Sequence, residues 1–348
     1  MMTIFDHLAL YTEPWDGDPG KNRETFIGGS DVGTIMGLNP FKSPYELFLE
    51  KTRQIERENL DDKLQVRLGH KMEQVVAELY EEETGCKVQQ SNKSFRSKEF
   101  PFLIGHIDRK IVGKKKGLEI KTTSSFNKTD YEDGVVPPSH YYQCMFYMMI
   151  TGMHDWDLAT LRDNREFHIT HVEWNEGIAE DMLEKCIDFW DCVVNKTWDK
   201  PLDGSDATTE ILDKAYTVEN KYDTSSVPIS SNNTGLNVAD YMELKKAYKQ
   251  IGESITAFEN NVKAVLGSSQ YGIIDNEYSV SWRQCTRSGG IDFKAFQKDH
   301  PEIDFEMYRK PDTEYRRFAI KKAKPIHKLP ESEEGTLEMK KLLEKEFN

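Results

Sequence analysis

The sequence predicts an α/β domain followed by a helical, coiled-coil-like accessory region with a little β structure. Two runs of residues, from Phe102 to Val112 and from Gly117 to Thr122, alternate apolar and polar around a glycine-bounded turn, as paired strands do. Amphipathic helical patterns lie on both sides of them, from Leu64 to Thr84 and from Ser139 to Gly152. Beyond a polar connection, apolar residues recur in steps of three and four from Tyr241 to Val265. With 348 residues the chain is about twice a typical ~150-residue domain, which leaves room for a core over 1–200 and an accessory region over 201–348.

Taken in order, the first helix opens at Ser43-Pro44-Tyr45-Glu46, a cap with proline at the first helical position and glutamate at the third, and runs to Lys51. In the second, Met72, Val75, Val76, Leu79 and Tyr80 form one face, and Gly85 supplies the left-handed stop. The hairpin follows, with Lys114, Lys115 and Lys116 at its tip. Pro137-Pro138 stops regular structure and Ser139 caps a helix to Gly152; a further helix spans roughly Gly177 to Trp198. Lys200 to Gly235 reads as a loop-rich connection. Then come the seam of Tyr241, Leu244, Tyr248, Ile251, Ile255, Phe258, Val262 and Val265, which needs a helix to pack on, short strands at Glu277–Trp282 and Tyr315–Lys321, and a charged C-terminal helix.

Composition narrows the chemistry. The longest apolar run, Cys144 to Ile150, falls far short of the ~20 residues a membrane helix needs. The acidic start carries no basic, then apolar, leader, so a cytoplasmic protein is expected, in a host cell if a phage encodes it. Five cysteines without a C-x-x-C argue against a disulfide scaffold, zinc knuckle or iron–sulfur cluster. A net charge of −14 disfavours global attraction to nucleic acid but leaves room for local basic grooves. One is the lysine tip; another is Tyr308 to Lys328, with Arg309, Lys310, Arg316, Arg317, Lys321, Lys322, Lys324 and Lys328. Both also fit an ordinary solvated face. No Walker loop, G-x-S-x-G or H-E-x-x-H occurs, and the scattered histidines show no ligand spacing.

The hairpin carries the clearest chemistry. Strand periodicity puts Glu119 and Lys121 on one face of it, opposite Leu118 and Ile120, and Asp108 on the preceding strand lies across from them. Two carboxylates of this kind make a hard-oxygen site suited to Mg²⁺ or Mn²⁺, and Lys121 beside them would hold a water or neutralise charge on phosphoryl oxygens. Taken alone, the pattern equally describes a surface hairpin.

The pattern does not stand alone. Ile27-Gly28-Gly29-Ser30-Asp31 through Gly37-Leu38-Asn39-Pro40-Phe41, Leu68-Gly69-His70-Lys71-Met72-Glu73, Gly105-His106-Ile107-Asp108 and Leu118-Glu119-Ile120-Lys121-Thr122-Thr123 follow one another, with Gln143-x-x-x-Tyr147 behind. In that ordered set the chain, from roughly Arg23 to Trp198, resembles the YqaJ-type viral recombinases, relatives of phage lambda exonuclease within the PD-(D/E)XK nucleases. The resemblance implies a central mixed sheet flanked by helices. It implies Asp108, Glu119, the carbonyl of Ile120 and Glu73 as ligands of Mg²⁺ or Mn²⁺, Lys121 as the catalytic lysine, Gln143 toward the phosphates or attacking water, and Tyr147 supporting it. Arg23, seven residues before Ser30, matches the pair with which lambda-type exonucleases grip the 5′-phosphate, and a guanidinium fork suits a phosphate. His106 is a departure: lambda exonuclease itself has a small serine there, also facing the phosphate, and His106 either donates to that phosphate or fills the space.

The implied activity is metal-dependent exonuclease action on ends of double-stranded DNA, 5′ to 3′, leaving 3′ single strands for recombination. Implied partners are other copies in a ring, a trimer among the forms, and a single-strand annealing protein; no membrane partner is expected. An endonuclease or nickase with the same metal site, and an idle DNA-binding recruitment module, remain as alternatives. Retention of Asp108, Glu119 and Lys121 together counts against the last.

Overall fold

A computed structural model of the chain describes residues 12–15, 17–18, 20–60, 62–91, 93–124, 136–216, 229, 237–275, 277–286, 289, 292–304, 307 and 309–311. It forms two units, Met1–Glu219 and Asn220–Asn348.

In the first unit the hairpin becomes the middle of a five-stranded mixed sheet. Its strands are β2 (Val88–Gln90), β5 (Arg109–Ile111), β6 (Gly117–Thr123), β7 (Asp155–Arg162) and β8 (Glu166–Glu173), in spatial order β2-β5-β6-β7-β8. Only the β6–β7 pair is parallel, running from Gly117↔Trp156 to Thr123↔Arg162. Helix α4 (Pro138–Thr151) makes that crossover, as a parallel pair requires. A smaller sheet joins β1 (Thr12–Trp15), β3 (Ser94–Ser97) and β4 (Ile104–Gly105), and Ile27 bridges to Leu103 beside it.

Each face of the central sheet carries its own core. Helix α3 (Leu64–Thr84) lays Val76, Ala77 and Tyr80 on Ile111, Leu118, Ile120, Ala159 and Leu161. On the other face Trp156 and Leu158 pack with α1 (Gly29–Ile35), α2 (Pro44–Lys51), α4, and α5 (Glu176–Asn195). Because Glu119 pairs with Leu158 and Leu118 with Asp157, Glu119 and Lys121 look toward the α4 side. The expected architecture of a mixed sheet flanked by helices is thus the observed one.

Local signals held where the chemistry is local. The Ser43 hydroxyl accepts from the Glu46 amide at 3.2 Å, and Gly85 ends α3 at φ 67°. Others were redirected. The run from Phe102 to Val112 is not one strand: Ile104–Gly105 pairs with β3, the chain bends at His106–Asp108, and Arg109–Ile111 pairs with β6. Asp108 therefore sits in the break rather than on a strand. Pro137, not Ser139, occupies the cap position of α4, with Pro138 at its first turn. Helix α5 starts at Glu176, capped by Asn175, and ends at Asn195, short of Trp198. The connection after Lys200 contains α6 (Asp206–Ala215), because Ser205 caps it by accepting from the Thr208 amide at 3.1 Å. All five cysteines are free thiols.

The second unit holds α7 (Val238–Leu266), the hairpin β9 (Tyr271–Ile274) and β10 (Tyr278–Ser281), and α8 (Phe293–Asp299). The seam forms its helix, but no residue of α7 is buried; Phe258, Val262 and Val265 share an apolar hollow with Ile273 and Val280. Arg309 and Lys310 are described; Tyr308, the rest of the basic run, Tyr315–Lys321 and the C-terminal helix lie outside the described residues. Among the described residues no helix is long and apolar enough to cross a membrane.

Candidate functional site

At the break the Asp108 carboxylate accepts the Ile120 amide of β6, twelve residues on, at 2.8 Å, a bond a continuous strand would not leave to a side chain. That contact brings Asp108 to the edge of Glu119-Ile120-Lys121. Glu119 is 1% exposed. One of its oxygens meets the Lys121 ammonium at 2.6 Å, and the other, Oε2, is buried without a hydrogen-bond partner. Burial, then the Asp108 charge, raise the Glu119 carboxyl to about 8. Burial works against the Lys121 charge, but Glu119 and Asp108 more than offset it and raise the ammonium's pKa. Glu73, half-buried on α3, is also raised, by burial and then by Asp108.

An orphaned, desolvated carboxylate oxygen among like charges is a poor resting state for a protein alone. With hard oxygen donors on Asp108, Glu119 and Glu73, the residues present fit a divalent Mg²⁺- or Mn²⁺-type ion.

Helix α4 closes the site. Gln143 Nε2 donates to the Tyr147 hydroxyl at 3.0 Å, both side chains buried. Burial and then the Glu119 charge keep that hydroxyl protonated. Cys144, between them, is buried and held as a thiol by burial and by Glu119, and burial with the Lys121 charge pushes His140 down to about 3. The sequence reading gave neither residue a place here; their i and i+4 positions around Gln143 were the available signal.

The Tyr147 ring lies against Gly29 of α1. A Cβ there would fall 2.6 Å from two ring carbons and 2.7 Å from the hydroxyl oxygen, so only glycine admits the tyrosine. Gly29→Ala is expected to displace Tyr147 from Gln143 and to cost about 1–3 kcal/mol, read as a lower melting temperature. An unchanged melting curve would show that the ring has room to move.

Next to Gly29, Arg23 Nη2 donates to Ser30 Oγ at 2.9 Å and to Asp31 Oδ1 at 3.0 Å, so the expected pair is assembled. Ile27 ties this segment to the chain ahead of Asp108, donating to Phe102 O and accepting from the Ile104 amide. His106 is exposed, and its Nδ1 lies 3.0 Å from Ser94 Oγ on β3 rather than against Arg23 or Ser30. Missed by the sequence reading is Lys51, whose ammonium reaches Asp31 Oδ2 at 2.8 Å and the carbonyls of Arg23 and Phe26, each at 2.5 Å. Only a fold that sets α2 beside the segment before α1 brings them together.

A second acidic group lies on the α3 face. Asp155, Asp157 and His171 have ligand atoms within 4.8 Å of one another, the one such trio among the described residues; Asp108, Glu119 and Glu73 are more loosely gathered. The Lys116 ammonium stands 2.9 and 2.8 Å from the two carboxylates, and Tyr80 donates to Asp157 at 2.6 Å. Of the three lysines at the hairpin tip, Lys116 is therefore spent on this cluster instead of solvent.

The YqaJ-like viral recombinase domain matches residues 20–154. The uncharacterized protein YqaJ of Bacillus subtilis (strain 168) is 31% identical over 303 residues, covering 86% of this chain and 92% of that protein. Among solved structures, LHK-Exo in complex with dAMP is similar at 17% identity with a TM-score of 0.44, over 50% of this chain and 90% of its own. LHK-Exo is an alkaline exonuclease from Laribacter hongkongensis. A phage-related exonuclease from Haemophilus somnus 129PT is similar at 11% identity with a TM-score of 0.37, over 49% of this chain and 96% of its own.

Proposed function

The chain belongs to the YqaJ-like viral recombinase family, and from that premise we propose that it is a metal-dependent deoxyribonuclease, digesting linear duplex DNA from its 5′ ends and leaving 3′ single strands for phage-type recombination. The observation that carries the reading is the buried Glu119 carboxylate, with one oxygen unpartnered, between Asp108 and Lys121.

Asp108, Glu119, the Ile120 carbonyl and Glu73 would hold Mg²⁺ or Mn²⁺. Bound there, the ion supplies neutralisation of the scissile phosphate and a water of lowered pKa. Lys121, kept charged by its two carboxylate neighbours, holds that water or takes up charge developing on the phosphoryl oxygens. Tyr147 accepts from Gln143, which leaves its own proton to donate to a phosphate oxygen. Arg23 and Ser30 grip the terminal 5′-phosphate, and this gives the polarity: the end held is the one digested. His106, exposed and held through Nδ1 by Ser94, keeps its Nε2 as the one ring nitrogen it could offer a phosphate. Action in the cytoplasm as a homo-oligomeric ring beside a single-strand annealing protein completes the reading.

The test uses linear, 5′-phosphorylated duplex DNA with Mg²⁺ or with EDTA, and closed circular DNA in parallel. Metal-dependent loss of the linear DNA with the circle intact is expected. A linearised circle would make the protein an endonuclease, and no metal-dependent loss of either would leave a DNA-binding module.

A further inference from the structure

We propose that Lys51 is a positioning residue for the end-binding pocket, pinning the turn that carries Arg23 and cancelling the charge of Asp31, so that Arg23 keeps its positive charge for a 5′-phosphate. This rests on the reading of Arg23 and Ser30 as the grip on that phosphate.

The Arg23 guanidinium has a carboxylate against it already, Asp31 Oδ1 at 3.0 Å. If nothing else faced Asp31, the pair would be neutral and an arriving phosphate dianion would meet a carboxylate as close as the cation. Lys51 alters that balance. Its side chain is 3% exposed, and its ammonium sits 2.8 Å from the other oxygen of Asp31, so the trio retains a single net positive charge. The ammonium's two further bonds go to the carbonyls of Arg23, where the turn Arg23–Thr25 begins and from which the guanidinium projects, and of Phe26, the residue that follows the turn. Asp31 Oδ2 also takes the Gly28 amide at 3.0 Å, closing the first turn of α1, the turn that carries Ser30. Arg23 Nε, buried and without a partner, is a donor that this packing leaves unused. Lys51 lines the same small hollow as Arg23 and Asp31, but its ammonium is taken up by Asp31 and the two carbonyls, so it acts on a phosphate through Arg23 and Asp31.

The experiment measures kcat/KM on linear duplexes with 5′-phosphate and with 5′-hydroxyl ends, and takes their ratio. Arg23→Gln is the reference and is expected to abolish the preference. Lys51→Gln keeps donors for the two carbonyls but loses the charge. It is expected to lower the ratio about tenfold or more through KM, with kcat at saturating DNA nearly unchanged, as loss of one charge-assisted contact would. Lys51→Met serves as the second neutral variant should the first not fold. Adding Asp31→Asn to either should restore most of the ratio, because the opposing charge is gone. A purely structural Lys51 would lower the melting temperature and leave the ratio alone; that result, or failure of Asp31→Asn to restore it, overturns the proposal. If Arg23→Gln itself leaves the ratio unchanged, the 5′-phosphate reading falls first and takes this inference with it.

Discussion

Glu119→Gln is expected to abolish DNA hydrolysis, by about a thousandfold or more, and at the same time to raise the melting temperature of the metal-free protein. The first effect follows because a neutral amide removes the anionic donor that Asp108 and Lys121 frame, and contributions of this kind are worth several kcal/mol each. The second follows because the native carboxylate is 1% exposed, has one oxygen without a partner, and sits beside another acid. The amide has the same shape and no charge to desolvate. Lys121→Met should be equally inactive but less stable, since it strips Glu119 of its one counter-charge. Thermal unfolding in EDTA and hydrolysis in Mg²⁺ check both halves. Activity within a few-fold of the native protein for Glu119→Gln would remove Glu119 from the chemistry, and a fall in melting temperature would mean that the Lys121 contact outweighs the desolvation.

The second large effect is on stability. Asp31→Ala is expected to cost about 3–5 kcal/mol, because it leaves the Lys51 ammonium buried with no counter-charge. Burial alone would raise the Asp31 carboxyl, but Lys51 and Arg23 overcome it and hold it well below the usual carboxylate range. A group whose folded pKa is depressed stabilises the fold above its unfolded value, here near 3.8, and that contribution is lost as the pH falls further toward the folded value. Native protein should therefore lose stability steeply below about pH 4, and Asp31→Ala should show a flatter acid limb from a lower starting point. Denaturant unfolding at a series of pH values reads both, and parallel acid limbs would show that other carboxylates govern acid unfolding.

What was legible in the sequence was legible for local reasons. Ser43, Gly85 and the α7 seam announce themselves within a few residues, since caps, left-handed stops and 3-4 spacing are short-range chemistry. The ordered motifs likewise led to Glu119, Lys121, Gln143 and Tyr147, which the fold places together. What was missed is non-local. Strand β7, buried on both faces along most of its length, shows no alternation to read. The break at Asp108 depends on an amide twelve residues on, and the Asp31–Lys51 pair on two segments twenty residues apart. Helix α6 hid in a polar stretch because a single turn of capping by Ser205, not an apolar stripe, marks its start.

The lone oxygen of Glu119 also bears on how such a chain persists through generations. Most random substitutions lower stability, and purifying selection removes those that fall below what folding needs. If Glu119→Gln raises the melting temperature as expected, Glu119 is an exception, a position where changes to uncharged residues relieve an internal electrostatic burden. A lineage that had ceased to cut DNA would drift away from this glutamate with no penalty in folding and some gain. The proposed hydrolytic role would require Glu119 together with Asp108 and Lys121, whereas a recruitment module would gain stability by replacing it.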